Sequence, residues 1–169
     1  MADVDVKLSK IEGLGIFAAR AFRAGERIRR INVVREITRE APLREDLGER
    51  FDHCSYPDGK VVLFGYPDRH INHSCDPNAW ERFEEDGSCL VARRDITAGE
   101  EITCDYNVNI AEGTAWPCAC GAARCRGEVA GDFFRLPVDW QREYRPLLAE
   151  WFVRRHRERV AELEPRHDS

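Results

Sequence analysis

The chain has almost no lysine: three Lys stand against 23 Arg in 169 residues, a bias that points to a GC-rich genome rather than to a function. It has no apolar run near the roughly 20 residues needed to cross a bilayer, so a membrane partner is not expected. Its first residues, Met1-Ala2-Asp3-Val4-Asp5, lack a basic n-region and an apolar h-region, so an intracellular place is expected. Internal repeats and low-complexity segments are missing as well. With 43% hydrophobic and 34% charged residues, the composition excludes disordered and fibrous classes. The length fits one domain with at most a small appendage. Net charge is −5. Residues 1–130 carry 18 Lys/Arg against 23 Asp/Glu, and residues 131–169 carry eight of each. That acidic balance suits a cationic substrate. A basic face interleaved with aromatics is also absent, which argues against nucleic acid.

What the chain does have is cysteine in an unusual arrangement. Seven Cys are present, and three fall within eight residues, Cys118-Ala-Cys120-Gly-Ala-Ala-Arg-Cys125. Cys118 and Cys120 are too close for an unstrained mutual disulfide. In a cytosolic chain, clustered thiols point to metal more than to bridges. Structural zinc takes four ligands in a tetrahedron, and thiolates serve it best. The run supplies three ligands, so the fourth must come from Cys54, Cys75, Cys89, Cys104 or a His. A second polar run, Asn72-His-Ser-Cys-Asp-Pro-Asn78, lies between apolar segments. It reads as a constrained loop rather than an ordinary strand or helix, with Pro77 keeping Asp76 extended or in a turn.

The rest reads as short strands. Val4–Leu8 alternates, Gly13-Leu14-Gly15 turns, and Ile16–Ala19 forms a second strand. Arg27–Ile37 reads as one longer strand, and residues 39–51 as a short helix or a loop. Val61–Phe64 reads as a compact buried strand. Trp80–Phe83 and Cys89–Ala92 flank Glu84–Gly87, where Asp-Gly marks a hairpin. Glu101–Tyr106 follows the Ala98-Gly99 turn. Many short strands with turn residues between them give a mainly β fold. In the tail, Trp140, Tyr144, Leu147, Leu148, Trp151 and Phe152 recur at helical spacing. Asp139 is placed as the N-cap, Pro146 is expected to kink or split the helix, and the aromatic stripe is expected to pack on the β domain.

In order, these segments resemble the SET-domain protein-lysine methyltransferases over residues 4 to about 128. Asn-His-Ser-Cys-x-Pro-Asn and Cys-x-Cys-x-x-x-x-Cys-Arg-Gly carry the likeness. The resemblance implies small curved sheets in which the Asn72–Asn78 and Tyr106 segments cross in a pseudoknot. It implies a SET domain over 1–115, a post-SET zinc module over 116–130 and a C-terminal helical extension over 131–169. By the same resemblance, Gly13, Leu14, Gly15, Asn72 and His73 hold S-adenosylmethionine, with Arg69 and His70 alongside. Tyr106 is the active-site tyrosine and also borders the cofactor. Cys75 joins Cys118, Cys120 and Cys125 on Zn²⁺.

The implied reaction is an in-line displacement by a neutral amine, and it needs positioning and desolvation more than covalent help. A free lysine, with a pKa of about 10.4, must lose its proton first. Two positions depart from the family pattern. Cys104 stands where Phe or Tyr is usual and governs how many methyl groups fit, so di- and trimethyl-lysine are expected. His70 stands where an aromatic is common. The segment between Ile37 and Val61 is short, so the target lysine is not readable beyond a protein or peptide partner that presents one. A stand-alone domain on an Arg-rich chain is expected in a prokaryote, so a histone is not assumed. The rivals are a catalytically silent, zinc-stapled interaction module and a small zinc-binding nucleic-acid protein.

Overall fold

The computed structural model describes residues 3–163; Met1, Ala2 and residues 164–169, the end of the expected helical extension, lie outside it. The described strands are β1 (Val4–Leu8), β2 (Leu14–Ala18), β3 (Arg27–Arg30), β4 (Val33–Ile37), β5 (Cys54–Ser55) and β6 (Val61–Phe64). They continue with β7 (Asn72–His73), β8 (Ala79–Glu84), β9 (Gly87–Ala92), β10 (Glu101–Cys104), β11 (Trp116–Pro117) and β12 (Glu128–Val129). Three short α-helices follow among the described residues, α1 (Val138–Tyr144), α2 (Glu150–Arg155) and α3 (Arg157–Ala161). The sheets are small: β1-β2-β10-β7, β3-β9-β8, β4-β6-β5, and the ribbon β11-β12. Register shifts between Arg27 and Arg29 and between Val33 and Arg35 bend two of them. The fold is mainly β, as the turn-punctuated sequence predicts.

The expected strand Arg27–Ile37 is two strands in two sheets. Ile31 turns into the core, and the buried carboxylate of Asp68 holds the corner. Its Oδ1 lies 2.8 Å from Arg29 Nε, and its Oδ2 accepts from Asn32 N at 2.9 Å. A partner so distant in sequence leaves no mark on local periodicity. Other boundaries move less. β2 begins at Leu14, inside the glycine turn, and the hairpin turn narrows to Glu85-Asp86 because Glu84 pairs with Gly87. In β6 only Leu63 is buried. Residues 39–51 hold one 3-10 turn, Glu45–Leu47, and the start of another, Phe51–His53.

The main core gathers Ile16, Phe22, Ile28, Leu90, Ile96 and Ile102 between the first two sheets. Burying each stabilises the fold by about 1.5–3 kcal/mol. A second core holds Phe133, Leu136, Tyr144, Ala149, Phe152 and Leu163. The tail's aromatic stripe faces inward as expected, and Trp151 meets Phe83 of β8 edge to face at 5.9 Å. Arg145–Leu147 form a 3-10 turn at Pro146, which splits the tail into separate helices. Asp139 is not the N-cap. Pro137 holds that place, and Asp139 sits in the first turn, 3.7 Å from Arg142. Its charge still suits the helix N-terminus. Among the described residues no helix is long and apolar enough to cross a membrane.

Candidate functional site

The polar run 72–78 is partly a strand. Asn72 and His73 pair in parallel with Thr103 and Cys104 of β10, and Ser74 N donates to Cys104 O at 2.9 Å. Polar side chains tolerate this because each bonds a neighbouring segment. Asn78 is buried and does most of the fastening. Its Nδ2 donates to Glu101 O at 2.8 Å, and its Oδ1 accepts from Thr103 N at 2.9 Å. The two segments thus cross at the centre of the molecule. Asn72 reaches the other way, its Nδ2 donating to the carbonyls of Glu12 and Leu14 at 3.1 Å each. That bond ties the glycine turn to the crossing. Gly15 is required there, since a Cβ would lie 2.3 Å from Glu101 Oε1 and 3.2 Å from Asn72 Nδ2.

His73 is a buried bridge. Its Nδ1 accepts from Tyr106 N at 3.1 Å, which leaves the ring proton on Nε2, 3.4 Å from Cys75 Sγ. Burial brings the imidazole down to about 4, so it is neutral, despite Asp105 nearby. The Asp105 carboxylate is fully buried and saturated. Oδ2 accepts from Arg126 Nη2 at 2.7 Å, and Oδ1 accepts from Asn107 N and Nδ2 at 3.0 and 2.7 Å. Replacing Asp105 with alanine would strand the buried Arg126 guanidinium. A loss of about 3–5 kcal/mol is expected in denaturant unfolding, with Asp105→Asn milder. A loss below about 1 kcal/mol would contradict this reading of the pair.

Tyr106 follows that junction. Its hydroxyl donates to Ile71 O at 2.5 Å, and burial pushes the phenol up, so it stays protonated at neutral pH. It borders a cavity of about 410 Å³ together with Cys104, Trp80, Glu81, Tyr56 and Trp151. Burial, with Glu81 and Asp105 near, raises the Cys104 thiol, so it too is neutral. Arg69 lies on the same wall and donates through Nε to His70 Nε2 at 3.3 Å. The His70 ring packs edge-on against Tyr66 and His53, at 6.0 and 6.2 Å. It thereby occupies an aromatic's place by packing.

The four cysteines converge. Their Sγ atoms all lie within 4.8 Å of one another, with Cys75 to Cys118 at 3.7 Å and Cys118 to Cys125 at 3.8 Å. A zinc–sulfur bond of about 2.3 Å gives a tetrahedral edge of about 3.8 Å, so the donor set fits Zn²⁺. Backbone amides of Cys75, Arg126 and Gly127 point at Cys120, Cys75 and Cys125 sulfurs, each at 3.4 Å. Such N–H···S bonds suit thiolates. Burial raises the Cys75 thiol and lifts Cys118 to about 11. At Cys120, burial also acts upward, but amides of Cys75 and Ala122 bring it down to about 7. A cation among these thiols offsets the cost of burying them as anions.

Reading the sequence groups Cys75, the Cys triplet, Asn72, His73 and Tyr106; in the structure Asn72, His73, Cys75 and Tyr106 lie at or beside the crossing, and the triplet meets Cys75. It misses the roles of Asn78, Asp105 and Arg126, although all three stand in the quoted motifs. It also misses Tyr144, whose hydroxyl donates to Cys75 O at 3.3 Å, and Glu81. Neither carries a local signal, because each finds its partners in distant segments.

The profile described as SET domain matches residues 13–107. Histone-lysine N-methyltransferase trr of Drosophila melanogaster is 39% identical over 132 residues, 70% of this chain and 5% of that protein. The H3 lysine-36 specific enzyme of Eremothecium gossypii is 33% identical over 144 residues, 77% and 21% of the two chains. The H3 lysine-4 specific enzyme of Cryptococcus neoformans is 32% identical over 135 residues, 70% and 9%. The chain therefore spans at most 21% of the length of these relatives.

Proposed function

This chain belongs to the SET-domain family, and on that premise we propose that it is a protein-lysine N-methyltransferase that uses S-adenosylmethionine. The observation that carries the reading is the position of Tyr106. Its neutral hydroxyl is anchored on the wall of a cavity that Tyr56, Trp80 and Trp151 also line, two residues past the strand whose crossing ties down the glycine turn. Apolar and aromatic side chains around an entering amine favour its neutral form.

The residues fit the methyl donor. Gly13, at φ 48°, opens onto free space, and Leu14 exposes 42% of its surface beside it. An apolar shelf of this kind suits a purine base. Arg69 offers a cation to a carboxylate, Asn72 sets the turn, His70 holds Arg69 in place, and His73 ties β7 to Tyr106 N. When bound, S-adenosylmethionine supplies an electrophilic sulfonium methyl. The chain's own work is to hold the lysine in line, exclude water and keep the phenol of Tyr106 aimed at the amine. Residues 1–115 would form the catalytic domain, 116–130 a zinc module with Cys75 as its fourth ligand, and 131–169 a helical extension, of which Tyr144, Leu147 and Trp151 line the cavity. The acidic balance and the relatives' names support a protein substrate. Relatives named for lysine 36 and for lysine 4 align over similar lengths, so the shared stretch does not select the lysine.

The test is methyl transfer from labelled S-adenosylmethionine by zinc-loaded protein to a lysine peptide library. Cofactor binding in calorimetry with no transfer to any lysine would leave the interaction-module reading in its place. Product states test Cys104. A thiol is smaller than a phenol and donates hydrogen bonds weakly. Di- and trimethyl-lysine should accumulate at long times, and Cys104→Tyr should shift them to monomethyl-lysine in mass spectra. A native enzyme that stops at monomethyl-lysine, unchanged by the substitution, would overturn that role.

A further inference from the structure

Glu81 is an acid in the wall of an aromatic channel. It lies on β8, which packs against β10, and it lines the same cavity as Cys104 and Tyr106. Two hydroxyls fix its carboxylate. Ser88 Oγ donates to Oε1 at 2.7 Å and Ser55 Oγ donates to Oε2 at 2.9 Å. Neutral donors orient a carboxylate without neutralising it, and each oxygen keeps a lone pair for another partner. An ionised carboxylate in such a place is costly unless a cation arrives. Burial raises this one to about 7, and Asp68 adds to the effect. Asp68 itself is committed to Arg29 and Asn32. The other ionisable groups around it are the neutral Cys104 thiol and Tyr106 phenol, Asp105 paired with Arg126, and Tyr56, Cys54, Asp52, Arg69 and Tyr144 along the cavity wall.

We infer that Glu81 receives the substrate amine, holding the incoming lysine as an ammonium in the channel and then taking one of its protons. This rests on the methyltransferase reading above. The step balances. The Nζ–H proton passes to a Glu81 oxygen, and the freed lone pair forms the N–CH₃ bond as the sulfonium C–S bond breaks, its electron pair staying on sulfur. The methylated product carries the positive charge, and the carboxylic acid returns its proton to water. The neutral phenol of Tyr106 then needs only to align the amine. A carboxylate partner also explains how a charged lysine enters an aromatic channel, since the ion pair offsets its desolvation.

Two measurements on the full zinc-loaded chain test this. The first follows the Glu81 side-chain carboxyl carbon by NMR through a pH titration, assigned through its backbone connectivity, with n-butylammonium chloride as the probe. Glu81 should titrate near 7 alone and at least one unit lower with the probe, because a cation favours the charged acid. The second is Glu81→Gln, which keeps size and hydrogen bonding. Its kcat/KM for a lysine peptide should fall roughly 100-fold, the scale of a positioned proton acceptor. The native rate should level off above about pH 7, whereas the variant should keep climbing toward the amine's own pKa of about 10.4. Cofactor affinity should not move. If the native protein methylates lysine while Glu81 ignores the probe, or if Glu81→Gln keeps the native kcat/KM and pH profile, the role is wrong and the functional reading stands. If the probe shifts Glu81 but no lysine is methylated, the amine site stands and the enzymatic reading falls.

Discussion

Tyr106→Phe should lower kcat by roughly 100- to 1,000-fold, the range found when one positioned hydrogen-bonding group is removed from a transition state. Affinity for S-adenosylmethionine should stay near normal. The substitution deletes one oxygen and keeps the ring that packs 5.3 Å from His73, so the fold around the crossing is retained. What is lost is the hydroxyl that donates to Ile71 O and so presents its oxygen as an acceptor on the cavity wall. An effect confined to alignment appears in kcat, not in ground-state binding. Asn72→Ala should do the reverse in part, because its amide holds the Glu12 and Leu14 carbonyls of the glycine turn. Calorimetry decides between them. Equal loss of cofactor binding in the two variants would remove the proposed division of labour. The raised pKa of the phenol argues independently against a base role for Tyr106.

Metal removal should have the second large effect. Elemental analysis should find one zinc per chain, and a strong chelator should lower Tm by roughly 10 °C or more, the shift that several kcal/mol of binding energy gives a domain of this size. The reason lies in how little apolar packing holds residues 113–131, whose anchors outside the cysteines are polar, chiefly Arg126 on Asp105 and Gly131 N on Asn107 Oδ1. The ribbon of β11 and β12 has two residues per strand, and its one buried side chain is Val129. Its ends close through Gly113 N to Gly131 O at 2.8 Å, at φ 62° for Gly131, where a Cβ would strike Thr114 O at 2.3 Å. Small modules of this kind take their folding energy from the metal. Proteolysis should then cut within 116–128, and turnover should fall as Arg126 and Trp116 lose their places. A Cys75→Ser protein that keeps a full zinc complement would refute the ligand set.

The sequence made the strands legible wherever local alternation and turn residues sufficed, as at Val4–Leu8 and the β8–β9 hairpin. It failed at Arg27–Ile37, because the break is enforced by Asp68, far along the chain. It failed at Asp139, because Pro137 starts the helix two residues before it and fixes the cap. The site was legible as spacing: ligand-type residues in an order that ordinary packing does not require. Glu81 was not, since a glutamate on an alternating strand reads as solvent-facing until Ser55 and Ser88 are seen on either side of it.

The order of synthesis sets when the crossing can be completed. β7 needs β10, 31 residues downstream by register, and Asp105 needs Arg126 before its charge is matched. Cys75 takes its last hydrogen bond from Tyr144. A ribosome-bound chain that has emerged only as far as Tyr106 therefore holds every residue assigned to the chemistry, and the Asn78 bonds, but lacks Arg126 and Tyr144. Long-range pairing of this sort forms slowly and late. The Asp105 charge and the Cys75 carbonyl are the last groups of the crossing to find their partners.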